Sequence, residues 1–446
     1  MKLLGALFLT LSSVTPAASV FVIAPGVLQQ AGTGALISFT IGAVISLFMA
    51  MVYAELSSAF PLTGGEYTIV GRLLGPFYGF IVLGVNFCTL LLIASSVSVG
   101  IGTYLDAFLP HVPPSVAGIA CIIIATLCGI LNIRTNAFVT GMFLVIEMLA
   151  LITLAILGFT HISHPLSDFL VNPMHLVDGQ MQPVTAGMMG LATVVAIFAY
   201  NGYGNAVYLG EEMHEAPRHI GRTIMIALLI TIVAEMVPVA AVLMGTSDLQ
   251  ALLTSNSMFS DFVTARGGSL LNTFVSLGIA LAIINANIAF LVMVARQLFS
   301  SGRDHVWSRG VNHALVKVHN YFHSPWVATL VCGGLSALGC LIPLNFLLVL
   351  TGTGIIVIYA AICVAVIVGR KNGKTRHGHY RMRYFPWPPV LALLALLYTI
   401  YANYLDPDVG RPSLIATVGM IVVAVLYYRV VLRRRGAWVL HDPKEE

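Results

Sequence analysis

Apolar stretches long enough to cross a bilayer as helices, about 20 residues each, recur twelve times along the chain between short polar or Pro/Gly-rich connections. The expected spans are Leu3 to Leu28, Ala35 to Ser57, Phe77 to Tyr104, Val116 to Ile133, Phe138 to Phe159, Thr185 to Leu209, Thr223 to Gly245, Leu270 to Leu298, Trp326 to Leu341, Phe346 to Gly369, Val390 to Tyr404 and Leu414 to Val431. The pattern predicts an all-α integral membrane bundle of twelve transmembrane helices with almost no mass outside the bilayer.

Two spans, the first and the sixth, are interrupted near their middle. In the first, Ser12-Ser13-Val14-Thr15-Pro16-Ala17-Ala18-Ser19 sets a proline among small hydroxylated residues; proline has no N–H and clashes with the preceding turn. In the sixth, Ala199-Tyr200-Asn201-Gly202-Tyr203-Gly204-Asn205 inserts two glycines and two asparagines. Backbone groups freed inside a bilayer cost several kcal/mol each unless protein, water or ligand satisfies them. Each break alone also reads as a kink packed against its neighbours. A pair separated by five spans is what an inverted five-plus-five repeat with a lined central cavity produces.

Composition strengthens the membrane reading. Of 446 residues, 58% are hydrophobic and 9% charged, and mean hydropathy is +0.92, against roughly a quarter charged in soluble domains. A water-soluble globule is excluded. Lys and Arg in short loops mark the cytoplasmic side. With Met1 inside, only Arg266 and Arg411 of the 22 basic residues fall outside, so both termini are expected in the cytoplasm of a multi-pass inner-membrane protein. The cluster Arg370, Lys371, Lys374, Arg376, Arg381 and Arg383 is then a topology signal, with anionic lipid as a lesser partner, and the net charge of +4 does not point to nucleic acid.

The six cysteines lie inside apolar spans without metal or disulfide spacing and read as small packing residues. Lys2, the run Leu3 to Leu11 and Ala17-Ala18-Ser19 imitate a cleavable secretory signal, but the apolar continuation from Phe21 to Leu28 favours a retained first span. His161 and His164 in the outer segment from Thr160 to Pro183 have no clustered partners and read as loop residues rather than zinc ligands. Ser247 to Arg266 is expected to form a short surface helix, and Arg303 to Ser324, with Trp307 and four histidines, to lie at the interface. No metal, cofactor or catalytic constellation is expected.

Four segments carry a family resemblance. Glu55-Leu56-Ser57-Ser58-Ala59-Phe60-Pro61-Leu62-Thr63-Gly64-Gly65-Glu66-Tyr67, with Arg72 and Gly75-Pro76 after it, resembles the loop following the second span in the amino acid, polyamine and organocation (APC) superfamily of permeases. Phe198 to Tyr203 running into Gly210 to Arg218 looks like that family's broken sixth helix and acidic exit loop. Ala295 to Phe299 with Gly302-Arg303-Asp304 resembles the end of its eighth helix, and Asn132 to Ala137 the turn before its fifth. The resemblance implies the LeuT-type fold. One transmembrane transporter domain over 1–445 would hold a first inverted repeat at 1–160, a second at 184–370 and two last helices at 384–432. The first helix departs from the family in carrying Ala17-Ala18-Ser19 where a Gly-Ser-Gly-like run is common.

The expected function is secondary active transport of an amino acid across the cytoplasmic membrane by alternating access, as proton-coupled symport or as antiport. The alternative is a polyamine or other organocation; a channel or a membrane enzyme fits less well. Free N–H groups after Pro16, at the positive end of a half-helix, make Thr15, Ala17, Ala18 and Ser19 candidate carboxylate ligands. Phe198, Ala199, Tyr200, Asn201 and Gly202 are candidates for the amine and side chain, the aromatics serving as a gate or as packing. Asn285 and Asn287 line the pocket or bond between helices. Glu147 and Glu235 are the deepest ionisable residues, and intramembrane acids are functional candidates. Glu147 falls where several relatives carry a lysine that stands in for sodium; it is the coupling candidate, as proton carrier or as neutral hydrogen-bonding group.

Overall fold

A computed structural model describes residues 3–435 apart from 63, 106–110, 132 and 178, together with 438 and 440; the side chains of 132–140 also lie outside the described residues. The resemblance drawn on Asn132 to Ala137, and Thr63 of the loop signature, therefore fall outside the described side chains.

Helices dominate. Among the described residues, eight helical stretches are long and apolar enough to cross a membrane, and a ninth is added when Ala186–Tyr200 and Tyr203–Leu209, bent by 40° at their junction, count as one span. Leu3–Ala59 is one such stretch and takes in the first two expected spans. The shorter apolar helices Pro114–Gly129 and Trp326–Gly339 stand at the fourth and ninth. The protein is thus a predominantly helical, multi-pass membrane protein.

Burial orders the bundle. The stretch Met258–Arg303 has 83% of its apolar window buried, against 11% for Gly410–Arg435, so the eighth helix is central and the last faces lipid. Between lipid-facing and central helices, small residues set the spacing. Gly158, near the end of Ile133–Phe159, would place a Cβ 2.2 Å from the Ala241 carbonyl oxygen, and Gly245, closing Ala216–Gly245, would place one 2.5 Å from the Gly158 oxygen. Without side chains the fifth and seventh helices meet backbone to backbone, the arrangement membrane interfaces favour.

Several boundaries differ from the sequence expectation. Met258–Arg303 is two helices joined at a kink: Gly268 leaves helical geometry at φ 82° and ψ 167°, so a shorter piece from Met258 precedes the eighth span, which starts close to the expected Leu270. Leu249–Thr254 is the expected short surface helix, capped by the Asp248 carboxylate, which accepts from the Ala251 amide at 2.9 Å. The segment after Thr160 is more ordered than a loop: it contains the helix Leu166–Val171 and an antiparallel hairpin, Met174–Val177 with Gln180–Pro183. This hairpin covers the end of the first span, where Thr33 Oγ1 accepts from the Met174 amide at 2.8 Å and His175 Nε2 lies 2.8 Å from the Gln29 carbonyl oxygen.

On the opposite side, the signature after the second span fixes a buried ion pair. Arg370 donates from Nε and Nη2 to both oxygens of Glu55 at 2.6 Å each, and the Met382 amide donates to the same carboxylate at 2.9 Å. Arg370, expected as a topology charge, is also the clasp between the second and tenth spans.

Candidate functional site

The first break is built by Thr15 and Pro16. The helix Leu3–Val14 stops at Thr15, which takes a left-handed conformation (φ 49°, ψ 73°) and lets Pro16 open the next turn, a position where proline's missing N–H costs nothing. Ser19–Ile23 then forms a π-turn before Ala24–Ala31 resumes; such turns mark functional sites in helices. In the sixth span, Ala186–Tyr200 ends at extended Asn201 (φ −64°, ψ 152°), and Gly202 at φ 119° starts the 3-10 helix Tyr203–Leu209.

These two interruptions touch. Ser19 Oγ donates to the Ala199 carbonyl at 2.9 Å, and Asn205 Nδ2 donates to Ser13 Oγ at 3.2 Å. Gly202 lies so close to the first helix that a Cβ there would sit 2.8 Å from Val14 Cα. Most of the expected site residues therefore converge: Thr15, Ala17 and Ser19 on the first span, and Ala199, Asn201 and Gly202 on the sixth. Phe198 and Ala18 are buried beside them, the Phe198 carbonyl accepting from the Asn201 amide at 3.0 Å. Tyr200 packs edge-on against Phe39 at 5.6 Å.

Both deep carboxylates reach this junction. Glu147 on the fifth helix accepts from Thr15 Oγ1 at 3.2 Å, and the Ala17 amide and the Asn285 side chain also face its carboxyl. A protein carboxylate thus stands at an amide expected for a substrate's carboxylate. Glu235 on the seventh helix is fully buried with Ser19 and Tyr200 as neighbours. Among the described residues no group reaches either Glu235 oxygen, or the Tyr200 hydroxyl, with hydrogen-bond geometry.

A second polar layer lies next to the sixth-span break, and sequence reasoning missed most of it. Asn201 Nδ2 donates to Tyr359 Oη at 3.2 Å, and Tyr203 Oη to the same oxygen at 2.9 Å. Tyr53 rings lie edge-on to Tyr203 and Tyr359, and Tyr53 Oη donates to Glu66 Oε1 at 3.1 Å. Asn86 Nδ2 donates to Glu66 Oε2 at 3.1 Å, and Tyr208 donates a short hydrogen bond to that oxygen. Glu66 belongs to the short helix Glu66–Leu74. Burial pushes its carboxyl up from the ordinary value, while the donors Tyr208, Tyr53 and Asn86 pull it back. The layer encloses a cavity of about 20 Å³, room for a single water. Glu66 stood in the loop signature, but Tyr359 and Asn86 lie in apolar runs that carry no local sign of a shared site.

Two helices broken at mid-length and joined at the breaks, inside a bundle of apolar spans, are the parts of a membrane carrier. The chain matches the amino acid permease family over residues 1–428, and it belongs to that family, a branch of the APC superfamily whose members are transporters rather than enzymes. It is 24% identical to the branched-chain amino acid permease BcaP of Bacillus subtilis, over 97% of this chain and 93% of that one. It is 22% identical to the serine/threonine exchanger SteT of the same organism over 96% of each, and 28% identical to the human Asc-type amino acid transporter 1 over 71% of this chain and 61% of the relative.

Proposed function

We propose that the protein carries amino acids across the cytoplasmic membrane by alternating access, and that the substrate binds where the first and sixth spans unwind. The observation that carries this reading is the junction itself, with Ser19 Oγ on the Ala199 carbonyl and Gly202 against Val14. On this reading Thr15, Ala17, Ala18 and Ser19 meet the substrate's carboxylate, and Phe198, Ala199, Tyr200, Asn201 and Gly202 its ammonium and side chain, the substrate exchanging with the present contacts of Thr15 and Ser19. The names of the relatives, which include a branched-chain permease and an exchanger, support an amino acid substrate. The twelve-span count, the five-plus-five inverted repeat with two added helices and cytoplasmic termini belong to the same proposal.

Coupling is assigned to Glu147. Its carboxyl accepts from Thr15 and faces the Ala17 amide that a substrate carboxylate needs, so its charge and the substrate's compete for one set of donors. A proton taken up by Glu147 removes that competition, which links substrate entry to proton entry. Glu147→Gln is expected to abolish accumulation driven by a proton gradient in liposomes while counterflow of labelled substrate persists. An unchanged response to the imposed pH gradient would reject the assignment.

The two buried acids at the junction, Glu147 and Glu235, favour a second reading in which the substrate is a polyamine or other organocation. A thermal-shift screen of the purified protein against amino acids and polyamines, followed by liposome uptake of each hit, separates the two. Tyr200→Ala and Asn201→Ala are expected to weaken substrate stabilisation and uptake about tenfold or more at equal expression. Wild-type behaviour of both variants would remove the pocket from the junction.

A further inference from the structure

At the end of the eighth helix, away from the junction, the structure holds a cavity of about 1000 Å³ that the transport reading does not use. Its walls come from the end of Met258–Arg303, from the short helix Arg309–Leu315 and from the end of the last span. Arg303, His305, Arg309, His313 and Arg435 all border it, with Trp307 beside them. His305, Arg309, His313 and Arg435 are exposed.

The arrangement is held open by contacts that do not consume its charge. Arg435 Nη1 donates to the Trp307 carbonyl at 3.2 Å, which anchors the last span over the cavity and, among the described residues, leaves the guanidinium's net charge unmatched. The Trp307 ring is pinned by its own donor, Nε1 to Ser301 Oγ at 2.8 Å, and packs against Tyr427 at 5.9 Å. Among the described residues, nearby acids do not neutralise the site. Glu211 is taken by Arg303 through two hydrogen bonds of 3.2 Å, and Asp304 is buried, accepting from Tyr67 Oη at 2.8 Å. Arg309 and Arg435 therefore face one space as fixed cations, with Arg303 sharing its charge between that space and Glu211.

Arginine forks match the oxygens of a phosphate, and an indole beside them suits the level of lipid headgroups. We propose that this cavity binds a phosphate-bearing anion, either the headgroup of an anionic phospholipid or a soluble phosphate. Phe299 and Val316 in the same wall supply an apolar flank that fits a headgroup with its glycerol attached.

The test uses the full chain, purified in neutral detergent, and the variant carrying Arg309→Gln with Arg435→Gln. Thermal unfolding is followed while phosphatidylglycerol or phosphatidylcholine is added in mixed micelles, and separately with inorganic phosphate or chloride at matched ionic strength. Wild-type protein is expected to be stabilised by phosphatidylglycerol or by phosphate, but not by phosphatidylcholine or chloride. In the double variant the concentration needed should rise about thirtyfold, the loss expected from two arginines near an anionic surface. Stabilisation by phosphatidylglycerol alone assigns the site to lipid, and stabilisation by phosphate as well assigns it to any phosphate group. No stabilisation by either anion, or equal stabilisation of wild type and variant, overturns the proposal. Uptake of substrate in phosphatidylcholine liposomes, unchanged in the variant, establishes that it is folded.

Discussion

Gly202→Ala is expected to abolish measurable uptake. At φ 119° an L side chain is strained wherever it has room, and here it has none: the added methyl would lie 2.8 Å from Val14 Cα and 2.9 Å from Val14 Cγ2. Relief requires either that the sixth span rewinds or that the first moves away, and both separate Ser19 from the Ala199 carbonyl. A strain of about 1–3 kcal/mol at such a conformation alone corresponds to a loss of roughly 5- to 150-fold, and the clash adds to it. Gly187→Ala is the matching control, since its nearest neighbour is Thr185 Oγ1 at 3.9 Å, and it should transport as wild type. Uptake in proteoliposomes at equal incorporation is the measurement; wild-type rates for Gly202→Ala would mean that the two breaks do not need their present contact.

Removing the Glu55 carboxylate should have the largest effect on stability. Glu55→Ala leaves the Arg370 guanidinium in a largely buried site with only the Met382 carbonyl, at 2.9 Å, and the face of Phe385, at 4.5 Å, to hold it. Breaking one partner of a buried ion pair costs about 3–5 kcal/mol, enough to lower the unfolding temperature markedly and to cut the yield of folded protein. The penalty comes mainly from the stranded charge, so Glu55→Leu combined with Arg370→Met should recover much of it. Thermal unfolding of wild type and the two variants decides the matter. A single variant as stable as wild type would show that Arg370 finds another acid or water.

The sequence made some of this visible and hid the rest for a physical reason. Spans and breaks are local: apolar runs, and Pro16 or Gly202 within them, alter the backbone wherever they stand. Contacts between spans are not local. Nothing around Tyr359, in the run Ile355 to Ala361, says that its hydroxyl meets Asn201 and Tyr203, or that Asn86 faces Glu66. Arg370 was legible as a basic residue at a helix end, but its partner Glu55 is 315 positions away. The same holds for Glu147: its depth was readable, whereas its bond to Thr15 depends on which faces the first and fifth helices present to each other. At the hairpin Met174–Val177 and Gln180–Pro183, four-residue strands were too short to rise above the surrounding polar segment.

The bare-backbone contact at Gly158 and Gly245 bears on how two acid-bearing helices are spaced. With no side chain between them, the two helices sit at their closest possible approach at that end, and neither position has room for a larger residue. Glu147 and Glu235 stand eleven and ten residues from that contact along their helices, about 15–17 Å at 1.5 Å per residue. A methyl added at either glycine would therefore wedge apart the two helices that carry both acids to the junction.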